Sequence, residues 1–215
     1  MRSFGYDANG RQTTAVNPES GTTTLAYDSK GLLTSKTTPK GTLTYEYDSL
    51  NRLWKVKQGA TVIREYAYDS QSWDATFNGA NLAGRLAAVK YGVFVEVYSY
   101  TSAGLPTRKR LRLTTPLSSP LQGETAPEPP PLEAQWAYDN EGRVTQMKYP
   151  DTGDPTVTGT GFAPGTVYSY YYDTMGRPLR VNDGSADIGF GVAYNAAGAD
   201  EVADVYGRRS ADEDV

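Results

Sequence analysis

The chain has 215 residues, a net charge of −4 and neither cysteine nor histidine. These bounds remove disulfides, zinc–thiolate sites and histidine general bases, and the lack of a basic field argues against a nucleic-acid partner. Seventeen tyrosines, 22 glycines and abundant threonine favour strands broken by turns; no apolar run approaches the roughly 18 residues of a membrane helix, so no membrane insertion is expected.

In chain order one motif recurs. Tyr6-Asp7-Ala8-Asn9-Gly10-Arg11 is followed by Tyr27-Asp28-Ser29-Lys30-Gly31-Leu32 and Tyr47-Asp48-Ser49-Leu50-Asn51-Arg52. Tyr68-Asp69 comes next, with its Gly84-Arg85 displaced by an insertion from Ser70 to Ala83. Tyr138-Asp139-Asn140-Glu141-Gly142-Arg143 and Tyr172-Asp173-Thr174-Met175-Gly176-Arg177 complete the set, and decayed copies stand at Tyr100 and Tyr194. Met1 to Gly5 lead straight into the first copy, with no signal peptide to read. Each copy is one structural unit that needs neighbours to bury its surface.

The residues two before each repeat tyrosine are Phe4, Leu25, Tyr45, Tyr66, Tyr98, Trp136, Tyr170 and Val192. All are apolar or aromatic, where a chain that is 38% hydrophobic would place about three of eight by chance. Side chains two apart on a strand share a face, so each motif reads as a strand end carrying an aromatic pair. The aspartate then accepts from a backbone N–H two residues on, and glycine or Asn51 supplies a left-handed residue. The arginine starts the return strand, and a second turn such as Pro39-Lys40-Gly41 closes the unit. Spacings of 21, 20, 21, 32, 38, 34 and 22 between tyrosines fit two short strands and two turns, lengthened by insertions in three copies.

The expected fold is all-β: serial antiparallel hairpins over 1–198, with little helix except a helical face across Ala199 to Tyr206. Residues 114–133 hold six prolines and predict an exposed loop, because proline lacks the donor a sheet interior needs. Residues 151–166 predict an extended hairpin tip, and 199–215 an acidic, partly disordered tail.

These residues resemble the RHS repeat, also called the YD repeat, over Phe4 to Gly198. The resemblance implies a curved, spiralling sheet forming part of a shell. Such shells enclose a C-terminal toxic domain in bacterial polymorphic toxins and insecticidal toxin complexes, and a related one serves adhesion in teneurins. It also implies a larger secreted or surface protein, with neighbouring repeats and a C-terminal cargo as partners. The RHS-associated core and toxin domain that follow in such proteins are not found in this sequence.

The chemistry of single residues points the same way. Asp7, Asp28, Asp48, Asp69, Asp139 and Asp173 share one turn position, so turn formation is expected of them rather than acid–base catalysis. Arg11, Arg52, Arg85, Arg143 and Arg177 are expected to pair with a turn carboxylate or to lay their stems on a neighbouring aromatic, the other reading being an anion-binding ladder. Structural roles are likewise expected of Tyr6, Tyr27, Tyr47, Tyr68, Tyr138 and Tyr172 and of Gly10, Gly31, Gly84, Gly142 and Gly176. The Asp7 and Asp139 turns lack the sixth-position glycine and twelfth-position glutamate of a calcium loop. No catalytic residue, metal ligand or cofactor is therefore expected. Arg108, Lys109, Arg110 and Arg112 form the densest basic run, read as a guarded strand face or, alternatively, as a patch for acidic glycans or acidic cargo. The aromatic pairs read as core, the alternative being a sugar-stacking platform.

Overall fold

A computed structural model describes residues 1–114, 130–150, 165–189, 192–194 and 200–202. Contacts divide the chain into two compact units, one built on 1–97 and 112–129, the other on 98–111 and 130–215. Among the described residues every regular element is a strand.

The first unit runs β1 (Ser3–Tyr6), β2 (Gln12–Asn17), β3 (Gly21–Tyr27), β4 (Leu33–Thr38), β5 (Gly41–Tyr47), β6 (Leu53–Gln58), β7 (Thr61–Tyr68), β8 (Leu86–Tyr91) and the start of β9 (Phe94–Tyr100). Each strand pairs antiparallel with its sequence neighbour. The registers place Thr14 opposite Thr24, Thr24 opposite Thr37 and Thr37 opposite Thr42, a β-branched row in which the Thr37 and Thr42 hydroxyls meet at 2.9 Å. Lys57 pairs with Glu46 and Lys55 with Glu65 on the same face.

The second unit contains most of β10 (Pro106–Leu113), then β11 (Leu132–Tyr138), β12 (Val144–Lys148), β13 (Val167–Tyr172), β14 (Pro178–Asn182) and β15 (Asp187–Gly189), again paired in sequence order. A separate pair joins β16 (Val192–Tyr194) to β17 (Asp200–Val202). Asp200–Val202 is thus a strand where the sequence had suggested a helical face, because its three residues close a ladder with Val192–Tyr194. Residues 115–129, 151–164 and 203–215, which hold most of the proline-rich stretch, the long tip and the tail, lie outside the described residues.

The aromatic pairs are not the buried core the sequence suggested. Leu25, Tyr45, Tyr66, Trp136 and Tyr170 are half-buried, and Phe4 is 58% exposed. The buried cluster of Phe77, Ala88, Val95 and Val97 sits where the insertion after Asp69 folds over β8 and β9, with Ala67 and Trp73 against it. Gln71 organises that loop: its amide donates to Asp74 O and Phe77 O and accepts from Asp74 N–H. The fully buried Asp74 carboxylate accepts from Thr76 N–H and Thr76 Oγ1, and Arg112 reaches it at 3.4 Å.

Candidate functional site

The feature that repeats with the sequence motif is the joint between one hairpin and the next. It begins in the turn. Asp7 N–H donates to Arg11 O (2.9 Å) and Gly10 N–H to Asp7 O (3.0 Å). Asp7 Oδ1 accepts from the N–H groups of Asn9 and Arg11, both at 2.9 Å, and Oδ2 takes Arg11 Nε at 2.7 Å. The same set recurs at Asp48 with Leu50 and Arg52, at Asp139 with Glu141 and Arg143, and at Asp173 with Met175 and Arg177. Asp28 keeps the two backbone donors, from Lys30 and Leu32, although leucine stands at the arginine slot. Lys30 instead reaches forward to Asn51 Oδ1 at 3.0 Å. In the decayed copy Thr101 Oγ1 replaces the carboxylate and accepts from Leu105 N–H.

The glycine slot is left-handed throughout, with Asn51 at φ 61°. At Gly176 a Cβ would meet only the movable guanidinium end of Arg143 from the preceding turn, so the left-handed backbone (φ 80°) is what selects glycine there.

The carboxyls of Asp7, Asp48, Asp139 and Asp173 are held low. At Asp7 and Asp173 the backbone N–H of the arginine four residues on is the main cause. At Asp48 and Asp139 desolvation pulls the other way, and the arginine's backbone and side-chain donors overcome it.

A β-bulge follows in every measured copy. Registers shift by one residue at Tyr6, Tyr27, Tyr47, Tyr68, Tyr138 and Tyr172, so two residues of the return strand oppose one tyrosine. The first of those two lies outside the ladder to the following strand: in β2, for example, pairing with β3 begins at Thr14, beyond Gln12. Its carbonyl is satisfied by the next copy's phenol. Tyr27 Oη donates to Gln12 O, Tyr47 to Leu33 O, Tyr68 to Leu53 O, Tyr138 to Pro106 O, Tyr172 to Val144 O and Tyr194 to Pro178 O, at 2.7–2.9 Å. Each acceptor stands six residues past the preceding repeat tyrosine.

The arginine completes the joint. While Nε holds its own aspartate, its guanidinium carbon lies over the next copy's ring: Arg11 over Tyr27 (4.9 Å), Arg52 over Tyr68 (4.4 Å), Arg143 over Tyr172 (5.0 Å) and Arg177 over Tyr194 (4.1 Å). Both roles anticipated for the arginines therefore occur at once. Arg52 also reaches Asp69 at 2.7 Å, which drives its own pKa upward and holds the Asp69 carboxyl below the usual range. Asp69 is itself left-handed (φ 68°), and its Oδ1 accepts from Gly84 N–H across the insertion. Arg85 donates to Asn81 O at 2.7 Å.

The basic run is engaged within the fold. Arg108 and Arg110 converge on Glu133, at 2.8 and 2.7 Å, while Arg112 meets Asp74 and Lys109 lies 5.7 Å from the Tyr98 ring. Burial pushes Glu133 up, but the bonds from Arg108, Arg110 and Gln135 outweigh it and leave the carboxyl below its ordinary range. The bulge and the phenol-to-carbonyl bond left one trace in the sequence, the six-residue count from Tyr6, Tyr27, Tyr47, Tyr100, Tyr138 and Tyr172 to the start of the return strand. Trp73 and Phe77, four apart and the two aromatics of the insertion, were the available signal for a covering loop.

Hairpins in sequence order, joined by one recurring turn and one recurring bulge, define a serial β-hairpin repeat protein. Residues 6–43 and 27–63 each match the RHS Repeat family, and the turn geometry of that stretch recurs at Asp139 and Asp173. No curated protein sequence matches the chain with significance. Among solved structures, a crystal structure of TcdB2-TccC3-Cdc42 aligns at 15% identity with a TM-score of 0.67, covering 93% of this chain and 10% of that one. A Tc holotoxin pore of Photorhabdus luminescens bearing a TccC3 mutation aligns at 16% and 0.66 with the same coverage. So does TcdB2-TccC3 without its hypervariable C-terminal region, at 15% and 0.66. At these identities the likeness is one of fold, and the chain spans about a tenth of the length of those chains.

Proposed function

We propose that this chain is a wall segment of an RHS-type shell, which encloses or presents a C-terminal toxin or effector in a larger secreted or surface protein. Its contribution is structural, with no catalytic step in the segment. Its partners are the neighbouring repeats and the cargo of the parent. The observation that carries this reading is the joint itself. Among the described residues, four hairpins cover the next one's ring with an arginine and six accept the next one's phenol at the first carbonyl of the return strand, so units add in one direction at a constant register. A wall that excludes proteases requires such gap-free addition. The fold shared with the Tc toxin proteins supports the same reading.

Limited proteolysis of the native parent protein is the test. The region beyond the repeats should resist cleavage in the wild type and become sensitive when Arg52 and Tyr68 are both replaced by alanine. Equal cleavage of that region in both proteins would overturn the shell reading. The alternative, a surface adhesion or carbohydrate-binding module, rested on the basic run and on exposed tyrosines; the cations of that run are engaged by Glu133, Asp74 and the Tyr98 ring, while Tyr6, Tyr149 and Tyr171 are exposed.

A further inference from the structure

The ionisable groups at the repeat joint are of three kinds. A carboxylate takes two backbone N–H groups and an arginine, as at Asp7, Asp48, Asp139 and Asp173. An arginine bridges that carboxylate and the next ring. A phenol acts only as a donor, to a carbonyl. The charged or titratable groups facing them are of the same kinds. Arg11 also approaches Asp28 O, Arg52 holds Asp69, Arg143 holds Glu141, and Lys30 meets Asn51. Tyr45 lies beside Tyr47 and Tyr66 beside Tyr68. The chain contains no histidine and no cysteine, the side chains whose ordinary pKa values fall between those of glutamate and tyrosine.

We infer that the joint between repeats is protonation-locked across roughly pH 5 to 9, so any pH-driven opening of an assembly containing this array is triggered by residues elsewhere. Geometry carries this. At Asp7, Asp48, Asp139 and Asp173 and at Tyr47, Tyr68 and Tyr138, the form that makes the bonds, carboxylate anion or neutral phenol, is the form the fold favours throughout that window.

The limits follow from linkage. The turn carboxyls ionise at lower pH in the fold than in the unfolded chain, so their stabilisation is present above about pH 4 and is lost as pH falls through their folded values. Burial raises the phenols of Tyr47, Tyr68 and Tyr138, so their contribution is intact below about pH 10 and is lost as pH rises through their folded values.

The experiment is thermal unfolding of the full chain from pH 3 to 11, alongside the Asp48→His variant. The wild-type midpoint should vary by no more than about 2 °C between pH 5 and 9 and fall beyond both limits. Asp48→His should introduce a slope between pH 5 and 8, since imidazole titrates there. A wild-type slope of more than about 5 °C inside the window overturns the inference. So does a flat profile in both proteins, because the turn slot would then be uncoupled from folding.

Discussion

One side chain per repeat, the tyrosine, reaches back to the preceding copy. Tyr68 ends its own strand, donates back to Leu53 O and lies beneath Arg52. Tyr68→Phe keeps the ring and the stacking but leaves a carbonyl short of a donor, so it should cost about 0.5–1.5 kcal/mol in denaturant unfolding. The loss should be accompanied by faster hydrogen exchange around Leu53. Asn51 makes a second, separable test. Its left-handed backbone (φ 61°) suits glycine, so Asn51→Gly should be near neutral, whereas Asn51→Ala should cost about 1–2 kcal/mol. An equal loss in both variants would mean that the Asn51 side chain, which accepts from Lys30, matters more than the backbone. At this scale the turn was legible in the sequence, because aspartate and glycine at fixed separation have a local physical meaning. The tyrosine's second partner was not legible, since its acceptor is a backbone carbonyl and any residue type supplies one: glutamine, leucine, proline and valine all do so here.

Among elements, the insertion after Asp69 behaves unlike a surface loop. It brings Phe77 to 4% exposure and encloses Ala88, Val95 and Val97. Phe77→Ala should therefore destabilise by about 3–5 kcal/mol, while Met175→Ala, at a turn position 76% exposed, should stay within about 0.5 kcal/mol. Chemical denaturation of the two variants side by side checks the contrast. The strands themselves were readable from alternation and from the aromatic two residues before each tyrosine. Where the core would lie was not. Aromatic residues at strand-periodic slots suggest burial, but a residue is buried only if something covers it, and the cover is a segment whose sequence reads as a loop. The short strand at Asp200–Val202 escaped for a related reason, because three residues are too few to show a period.

Across the molecule, contacts are made mainly between sequence neighbours, and the two compact units follow from that locality. Damage should stay where it is made. In Phe77→Ala, hydrogen exchange should accelerate in β7 to β9 while protection in β11 to β14 is kept. Uniform acceleration across both sets would show instead that the chain unfolds as one cooperative block.

The six-residue count from each tyrosine to the carbonyl that serves the next one also sets a rule for how such a gene can change. The insertions after Leu113 and Lys148 fall outside that interval, and the Asp139 and Asp173 turns beyond them keep the ordinary pattern. The insertion after Asp69 falls inside it. There the aspartate turns left-handed and takes an arginine from the preceding copy, and Arg85 bonds Asn81 O within the insertion. Length is thus inherited freely between the clasps and at a cost within one. Duplicating or deleting a segment between equivalent tyrosines carries every clasp along intact, so an array of this kind can lengthen or shorten by recombination without any compensating mutation.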